Sequence, residues 1–470
     1  ADTDAAVDGC TAGSGADTVV FATGLAGTVT VGSSITIRTN VVIDGAVGGG
    51  AIVVSGGGQS RVFVVDQRIV VLRSLTVRDG FAPSGGGVLV VDGGSLTTEL
   101  VTFADNVAAG NEATQGGGAV FVLEGTAAFR DGAFTGNTAS TGLGSGGAVA
   151  QAPGTTVTFT RCTLSGNTAG RAGGAIENQA GTLTLIRTDF SGNDAGARPG
   201  NGGAVHVTGA GTVTADRGTV SDNVAREGGG FWNAEGAEMT LSGTAFTGNV
   251  AEEGGALYND GGTLMLVGVT ATGNTAEGDD GAGGAVWSDG RLAVVGGTFD
   301  QNTTTGPGGA IATDGEGTVV LVEAVLRANA AATGGGLHAD RGRAVVIGGS
   351  ILENTAADGG GIWAAGPLTV SGSRGDIPED LAPGVPLPEA TEPRLTSNTA
   401  TGAAVGQGGG GLFLRRTSEA TLSDARISTN AASGAAGTFS NSSVTTSHRS
   451  ANAFSASASC QSALIYSLHT

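Results

Sequence analysis

Short runs of alternating apolar and polar residues recur along most of the chain. The segment 181–186 reads Gly-Thr-Leu-Thr-Leu-Ile, so Leu183 and Leu185 share one face while the threonines lie on the other. A period of two predicts β-strands, and no segment has the 3.6-residue period of a helix. No apolar run is long enough for a membrane-spanning helix. The pattern therefore predicts an all-β protein built from many short strands.

Two markers repeat in step with these strands. The first is an Asn with an apolar residue three positions before it, as in Phe134 and Asn137. The second consists of two Gly, then Ala or Gly, then an apolar residue such as Val149. Nine gaps between Asn106 and Asn354 average about 28 residues. A fixed period of this length is typical of solenoid proteins.

The repeat predicts a right-handed, single-stranded parallel β-helix of about 14–15 coils, stacked about 4.8 Å apart. Equivalent residues of successive coils then form ladders. We expect the apolar residue of the first marker to fill the interior and its Asn to bond along the axis at a corner. Glycine suits the corners because it adopts positive φ without steric cost. The predicted structural ladder comprises Asn137, Asn167, Asn193, Asn223, Asn249, Asn274, Asn302, Asn329 and Asn354.

Composition narrows the possible partners. Asp and Glu total 42 against 22 basic residues, all of them Arg, for a net charge of −20. A strongly acidic chain without a basic patch argues against nucleic acid and anionic lipid as ligands. Three cysteines, at positions 10, 162 and 460, are too few for a disulfide scaffold. Cys162 lies two residues before the inward-facing Leu164 and so shares its side of the strand, and we expect a buried free thiol there.

The paired markers resemble the repeats of the polymorphic outer-membrane-protein adhesins. The N-terminal stretch resembles secreted bacterial proteins with a CSLREA-type domain, on the segments 8–10, 15–21, 60–63 and 75–80. This resemblance implies a pectate-lyase-like solenoid at the cell surface or outside the cell, attached to the outer membrane. In the CSLREA family Cys10 would pair with a cysteine of that motif, which this chain lacks.

We expect three regions. Residues 1–90 form N-terminal coils that resemble part of the CSLREA-type domain, and residues 91–433 form the repeats. A Pro-rich loop at 366–394 interrupts them, since Pro cannot donate to a strand ladder. Residues 434–470 are rich in Ser and Ala and lack Asp and Glu. This tail is a cap, a linker towards an anchor, or a non-native end.

An outward column of aromatic residues is the candidate ligand-binding site. The residue after the apolar position of the second marker points outward by alternation, and all three Trp lie there. These side chains either stack on sugar rings or on a protein partner, or pack on one another and cover the sheet. The candidate ligand-binding residues are Trp232, Tyr258, Trp287, His338 and Trp363.

Candidates for catalysis and metal binding are few. Asp279-Asp280 resembles the acidic doublet of galacturonases, but the other motifs of that family are missing. None of the four His lies directly beside an acidic residue in sequence. Arg341 and Arg343 beside Asp340 are the candidates for a lyase site but are typical of a polar turn, and Arg374-Gly-Asp376 occurs readily by chance in this composition. Glu252-Glu253 and Asp279-Asp280 are candidates for weak Ca²⁺ binding, but solvated corner charges are the favoured interpretation. We therefore predict no catalytic residue, no metal site and no cofactor.

Taken together, the sequence predicts a non-catalytic, secreted or cell-surface β-helix. It would be an adhesin-like stalk or passenger that presents one face to an extracellular glycan or to a surface protein of a host or neighbouring cell. It would neither bind nucleic acid nor insert this segment into a membrane. The alternative is a polysaccharide-binding or polysaccharide-cleaving β-helix, either a lyase or a hydrolase.

Overall fold

The computed structural model describes residues 17–140, 142–196, 199–278, 281–376, 386–402, 407–415 and 419–432, and the backbone of 443–447. The chain divides into two compact units, Ala1–Arg226 and Glu227–Thr470. Each unit is an all-β parallel solenoid, and together the units hold about 13 turns. The parallel β-helix predicted by the repeat is thereby confirmed, with about 13 turns in place of the 14–15 coils expected, while its right-handed sense stays a prediction.

Each turn contributes one strand to a first, a second and a third sheet, in that order along the chain. Many turns add a two-residue strand at the corner between the second and third sheets. Neighbours within each sheet are parallel and lie one turn apart in sequence, for example Thr156 beside Thr182. The strand order follows directly from winding one chain around three faces.

In the unit Ala1–Arg226, the first-sheet strands are Asp17–Val20, Val41–Asp44, Ile69–Arg73, Gly94–Glu99, Gly125–Arg130, Thr156–Thr160, Thr182–Ile186 and Thr212–Asp216. The second-sheet strands are Gly27–Thr30, Ile52–Ser55, Thr76–Arg78, Thr102–Ala104, Ala133–Thr135, Thr163–Ser165, Asp189–Ser191 and Thr219–Ser221. The third-sheet strands are Ile35–Ile37, Phe63–Asp66, Val88–Val91, Val120–Val122, Val149–Gln151, Ile176–Gln179 and Val205–Thr208. The corner strands are Phe81–Ala82, Val107–Ala108, Thr138–Ala139 and Thr168–Ala169.

In the unit Glu227–Thr470, the first-sheet strands are Glu238–Ser242, Thr263–Val267, Arg291–Val295, Thr318–Val322, Arg343–Ile347, Leu368–Ser371, Glu419–Ser423 and Ser443–Ser447. The second-sheet strands are Ala245–Thr247, Thr270–Thr272, Thr298–Asp300, Val325–Arg327, Ser350–Leu352, Arg394–Thr396 and Arg426–Ser428. The third-sheet strands are Phe231–Asn233, Leu257–Asn259, Val286–Ser288, Ile311–Thr313, Leu337–Ala339, Ile362–Ala364 and Leu412–Leu414. The corner strands are Val250–Ala251, Thr275–Ala276, Thr303–Thr304, Thr355–Ala356, Thr399–Ala400 and Ala431–Ala432.

Apolar side chains from all three sheets fill the interior. Phe103 stacks on Phe134 of the next turn with ring centroids 4.8 Å apart, and Phe129 stacks on Phe159 at the same distance. Phe129 also meets Phe134 edge to face at 5.1 Å. These four rings are fully buried. Aromatic contacts therefore link the first and second sheets as well as successive turns.

The Asn of the first marker lies inside the corner between the second and third sheets. Asn167 Oδ1 accepts hydrogen bonds from both the backbone N and the Nδ2 of Asn137, each at 3.0 Å. Its Nδ2 donates to the Phe134 carbonyl at 3.0 Å and to Asn193 Oδ1 at 2.9 Å. All these residues are fully buried. The amide thus satisfies backbone groups of a turn that has no strand partner for them.

Glycine is required for steric reasons in the second marker, whereas the residue before the Asn of the first marker is not always Gly. Gly136 has φ of 64° at that position, and Asp105 and Asp222 adopt φ of 55° at the equivalent position of other turns. In the second marker Gly146 has φ of 67°. A Cβ on the next residue, Gly147, would lie 2.1 Å from the carbonyl oxygen of Gly174. The second Gly therefore allows successive turns to approach closely.

The Pro-rich insertion begins later than its composition suggests. Leu368–Ser371 is a strand of the first sheet, and the short 3-10 helix Arg374–Asp376 follows it. On the return limb, the Thr391 hydroxyl donates to the Glu323 carboxylate at 2.8 Å. Ala390 packs against an apolar cluster on the outer face of the first sheet. The described parts of the loop are therefore docked on the sheet.

The Asn network makes a specific prediction about stability. Replacing Asn167 with Ala leaves the Asn137 amide N and the Phe134 carbonyl buried without these partners. Each such group costs about 1–3 kcal/mol, so we expect a loss of several kcal/mol in the free energy of unfolding. Denaturant unfolding of the full chain measures this loss. The control is Thr184→Ala on the outer face, expected within about 0.5 kcal/mol of wild type; equal effects of the two changes would contradict the role of the ladder.

Candidate functional site

The predicted aromatic column lies on the outer face of the third sheet. In the unit Glu227–Thr470, the strand pairings place its members side by side on successive turns. Each side chain points away from the interior because the residues on either side of it face inward. The column runs Trp232, Tyr258, Trp287, Ala312, His338, Trp363 and Phe413.

The rings of this column stack on one another. Tyr258 and Trp287 have centroids 4.2 Å apart and an interplanar angle of 13°. His338 and Trp363 are 4.1 Å apart at 7°. Trp232 lies parallel to Tyr258 at 6.2 Å. The turn repeat thus brings the rings to stacking distance and fixes them parallel.

Most of this column is buried. Trp232 and Trp363 are each 7% exposed and Tyr258 is 8% exposed, while Trp287 and His338 are half-buried. A sugar ring stacks on the face of an aromatic ring, and here a neighbouring ring occupies at least one face of each, although Ala312 separates Trp287 from His338. The arrangement therefore favours packing among the rings themselves, and it leaves the half-buried ring of Trp287 as the most accessible of the three Trp.

Acidic groups surround one end of the column. Trp232 Nε1 donates to Glu227 Oε2 at 3.3 Å. Burial raises the pKa of the Tyr258 hydroxyl, and the charges of Glu227 and Glu253 raise it further. Tyr258 is therefore neutral at physiological pH and cannot act as a phenolate base.

His338 has a polar partner and an unusual pKa. Its Nδ1 lies 2.9 Å from the Thr333 hydroxyl. Burial lowers the pKa of His338 to about 4, although the charge of Asp314 acts in the opposite direction. The imidazole is consequently neutral at pH 7 and stacks on Trp363 as an uncharged aromatic ring.

In the unit Ala1–Arg226 the same column changes chemistry. Phe121 and Ala150 form a small apolar cluster with Leu89 packed against it. The next two turns carry Glu177 and His206, which pair in register. Glu177 Oε2 lies 2.7 Å from His206 Nδ1, and the two side chains are 1% and 2% exposed. The structure thus contains a buried acid–imidazole pair.

Sequence reasoning missed this pair because the two residues are 29 positions apart. Their shared column was the available signal, since equivalent positions of successive turns are neighbours. A buried carboxyl group also needs its second oxygen satisfied, yet Glu177 Oε1 has no hydrogen-bond partner. Because both side chains are sealed from solvent, no substrate reaches them in this conformation.

The other sequence candidates lie apart from the column or outside the described residues. Asp279 and Asp280 lie outside the described residues. Arg341 bridges Asp314 and Asp340 on an exposed corner, at 3.2 and 3.1 Å. Among the residues that the structure describes, no group of three or more His, Cys, Asp or Glu side chains is placed to hold a metal ion.

Two further sequence features have a clear structural setting. Cys162 is a free, buried cysteine, and burial raises the pKa of its thiol. Arg374–Asp376 forms the exposed 3-10 helix of the insertion, where Arg374 Nη2 donates to the Leu387 carbonyl at 2.6 Å. The thiol is thus kept protonated in the interior, and the guanidinium is tied to its own loop.

Comparison with protein-family models, with curated proteins and with solved structures found no match for this chain. In the described part of the chain, no helix is long and apolar enough to cross a bilayer.

The buried pair predicts an asymmetry between single and double substitutions. Glu177→Ala removes the carboxyl group that faces His206 Nδ1 and should cost about 1–3 kcal/mol of unfolding free energy, the cost of a buried polar group that loses a hydrogen bond. The double variant Glu177→Leu/His206→Leu removes both polar groups and should recover most of that loss. Chemical denaturation of the three proteins compares these effects. A double variant as unstable as the single one would show that the pair itself contributes the stability.

His338 predicts a dependence of stability on pH. Its pKa of about 4 in the folded state lies below the unfolded value of about 6.5, so the unfolded chain binds more protons between these limits. Stability is therefore lost as pH falls through this window, by up to about 3 kcal/mol from this residue. Unfolding of wild type and His338→Phe at several pH values isolates the contribution. The variant keeps a stacked ring and should lose less stability in acid; parallel pH profiles would contradict the assignment.

Proposed function

We propose that this protein is a non-catalytic, secreted or cell-surface β-helix that works as an adhesin-like stalk or passenger. It presents an outer face to an extracellular glycan or to a surface protein of another cell, and it needs no cofactor. Attachment to an outer membrane, as in the adhesins whose repeats it resembles, is part of the proposal.

One observation carries most of the weight. The conspicuous polar and aromatic residues of the coils are used for packing between successive turns. The Asn side chains bond along the corner, the Trp and Tyr rings stack, and the acid–imidazole pair of Glu177 and His206 is closed to solvent. Glycoside hydrolysis requires two carboxyl groups that flank an accessible substrate. Because these groups contact neighbouring turns of the solenoid, the arrangement favours a mechanical role in which the solenoid presents a surface.

In the unit Ala1–Arg226, the outer face of the first sheet suits such a role. Threonines such as Thr158 and Thr184 occupy outward positions of the first sheet on successive turns. Thr is favoured in strands and gives a polar, uncharged surface. The acidic chain as a whole resists nonspecific association with other acidic surfaces. Recognition of a partner would then depend on the positions where the sequence departs from the repeat.

The proposal is tested with the full chain on fluorescent beads. The beads are incubated with cells and with immobilised polysaccharides, and new sugar chain ends are measured in the same samples. We expect retention on at least one surface without release of new ends. An unrelated protein of similar net charge is the control coating. Release of new ends would replace this proposal with the polysaccharide-cleaving alternative, and a lack of retention on every surface would contradict the adhesin-like role.

A further inference from the structure

A surface pocket of about 480 Å³ lies at the corner between the first and second sheets of the unit Ala1–Arg226. Three successive turns contribute one corner residue each, namely Leu100, Asp131 and Arg161. All three have positive φ, between 51° and 55°, so the backbone directs them in the same way on each turn. The volume is in the range of small-ligand sites.

The pocket exists because one turn carries small residues. The outward column of the second sheet reads Thr102, Ala133 and Thr163 on these turns. Gly132 precedes Ala133 at the corner. Thr102 and Thr163 are two turns apart, about 9.6 Å. The missing bulk at Ala133 leaves a dent between two Thr side chains.

The walls of the dent combine polar and apolar groups. Arg161 Nε and Nη2 each donate to the Asp131 carboxylate at 2.7 Å, a two-point ion pair. The hydrogen bonds from Arg161 hold the pKa of Asp131 below its usual value, so the carboxylate stays ionised. The Leu100 side chain, 59% exposed, supplies an apolar wall beside the pair. The site therefore offers a fixed acceptor, a fixed donor and an apolar surface.

We propose that this corner pocket binds one neutral pyranose unit of an extracellular glycan. A sugar ring presents hydroxyls that donate to Asp131 and accept from Arg161, and its C–H face fits against Leu100 and Ala133. The ion pair is neutral as a whole, so a charged ligand would have to break it. The net charge of −20 further disfavours uronic acids and sulfated sugars. This inference names a ligand for the proposed presenting role and rests on it.

The decisive variant is Ala133→Thr. A Thr here continues the Thr column and fills the dent, so the fold should be kept while the ligand is excluded. Ala245 is the matched control because it holds the corresponding outward position at the start of a second-sheet strand in the unit Glu227–Thr470. Asp131→Asn removes the ionised acceptor and should weaken binding about ten- to a hundred-fold.

The experiment screens the labelled full chain on a glycan array and measures the dissociation constant of the best neutral hit by calorimetry. We expect wild type and Ala245→Thr to bind alike and Ala133→Thr to bind at least about ten-fold more weakly. Unchanged binding by Ala133→Thr, or binding of anionic glycans alone, would overturn the pocket assignment. So would the absence of any neutral hit.

Bead retention separates this inference from the proposed function. If Ala133→Thr beads adhere as well as wild type, the adhesin-like role stands and the pocket is excluded as its cause. In the opposite case, wild-type beads adhere to no surface, but the soluble chain binds a neutral sugar and Ala133→Thr abolishes this binding. That result would support the pocket assignment and contradict the adhesin-like role. Thermal unfolding of each variant confirms that the comparison is between folded proteins.

Discussion

The hydrogen-bonded stacking of parallel strands is the constraint on which the rest of this structure depends. Every turn lies about 4.8 Å from the next, so a residue type repeated once per turn becomes a continuous column. A column is stable only if its side chains accept like neighbours on both sides. Asn amides, which both donate and accept, and flat aromatic rings satisfy this condition, and these are the residues that the repeats carry.

The same constraint explains why several candidate functional residues pack against the next turn. Trp232, Tyr258 and Trp287 present flat faces to one another at the spacing set by the strands. The Asn amide groups form hydrogen bonds with one another and with the backbone at the corner, where a turn interrupts the strand ladder. In both cases an interaction with the next turn takes up the chemistry that a ligand would otherwise use.

Departures from the repeat then become the places where new chemistry can arise. Replacing one Thr of a column with Ala133 creates a dent between two turns. Placing Glu177 and His206 on adjacent turns creates a buried acid–imidazole pair. The return limb of the Pro-rich insertion docks beside the first sheet through the contact of Thr391 with Glu323. Each arises from a local substitution or insertion on a scaffold whose backbone is otherwise fixed by its neighbours.

The sequence by itself determined the architecture. Period-two alternation, the Asn spacing of about 28 residues and the paired glycines predict stacked parallel coils, because these signals are local and repeat many times. Only the tertiary structure decided which outward residues are accessible. Burial of Trp232 and pairing of Glu177 with His206 depend on contacts between turns, and the sequence of one turn does not contain them. The pocket around Ala133 needs three turns at once, so no single repeat could reveal it.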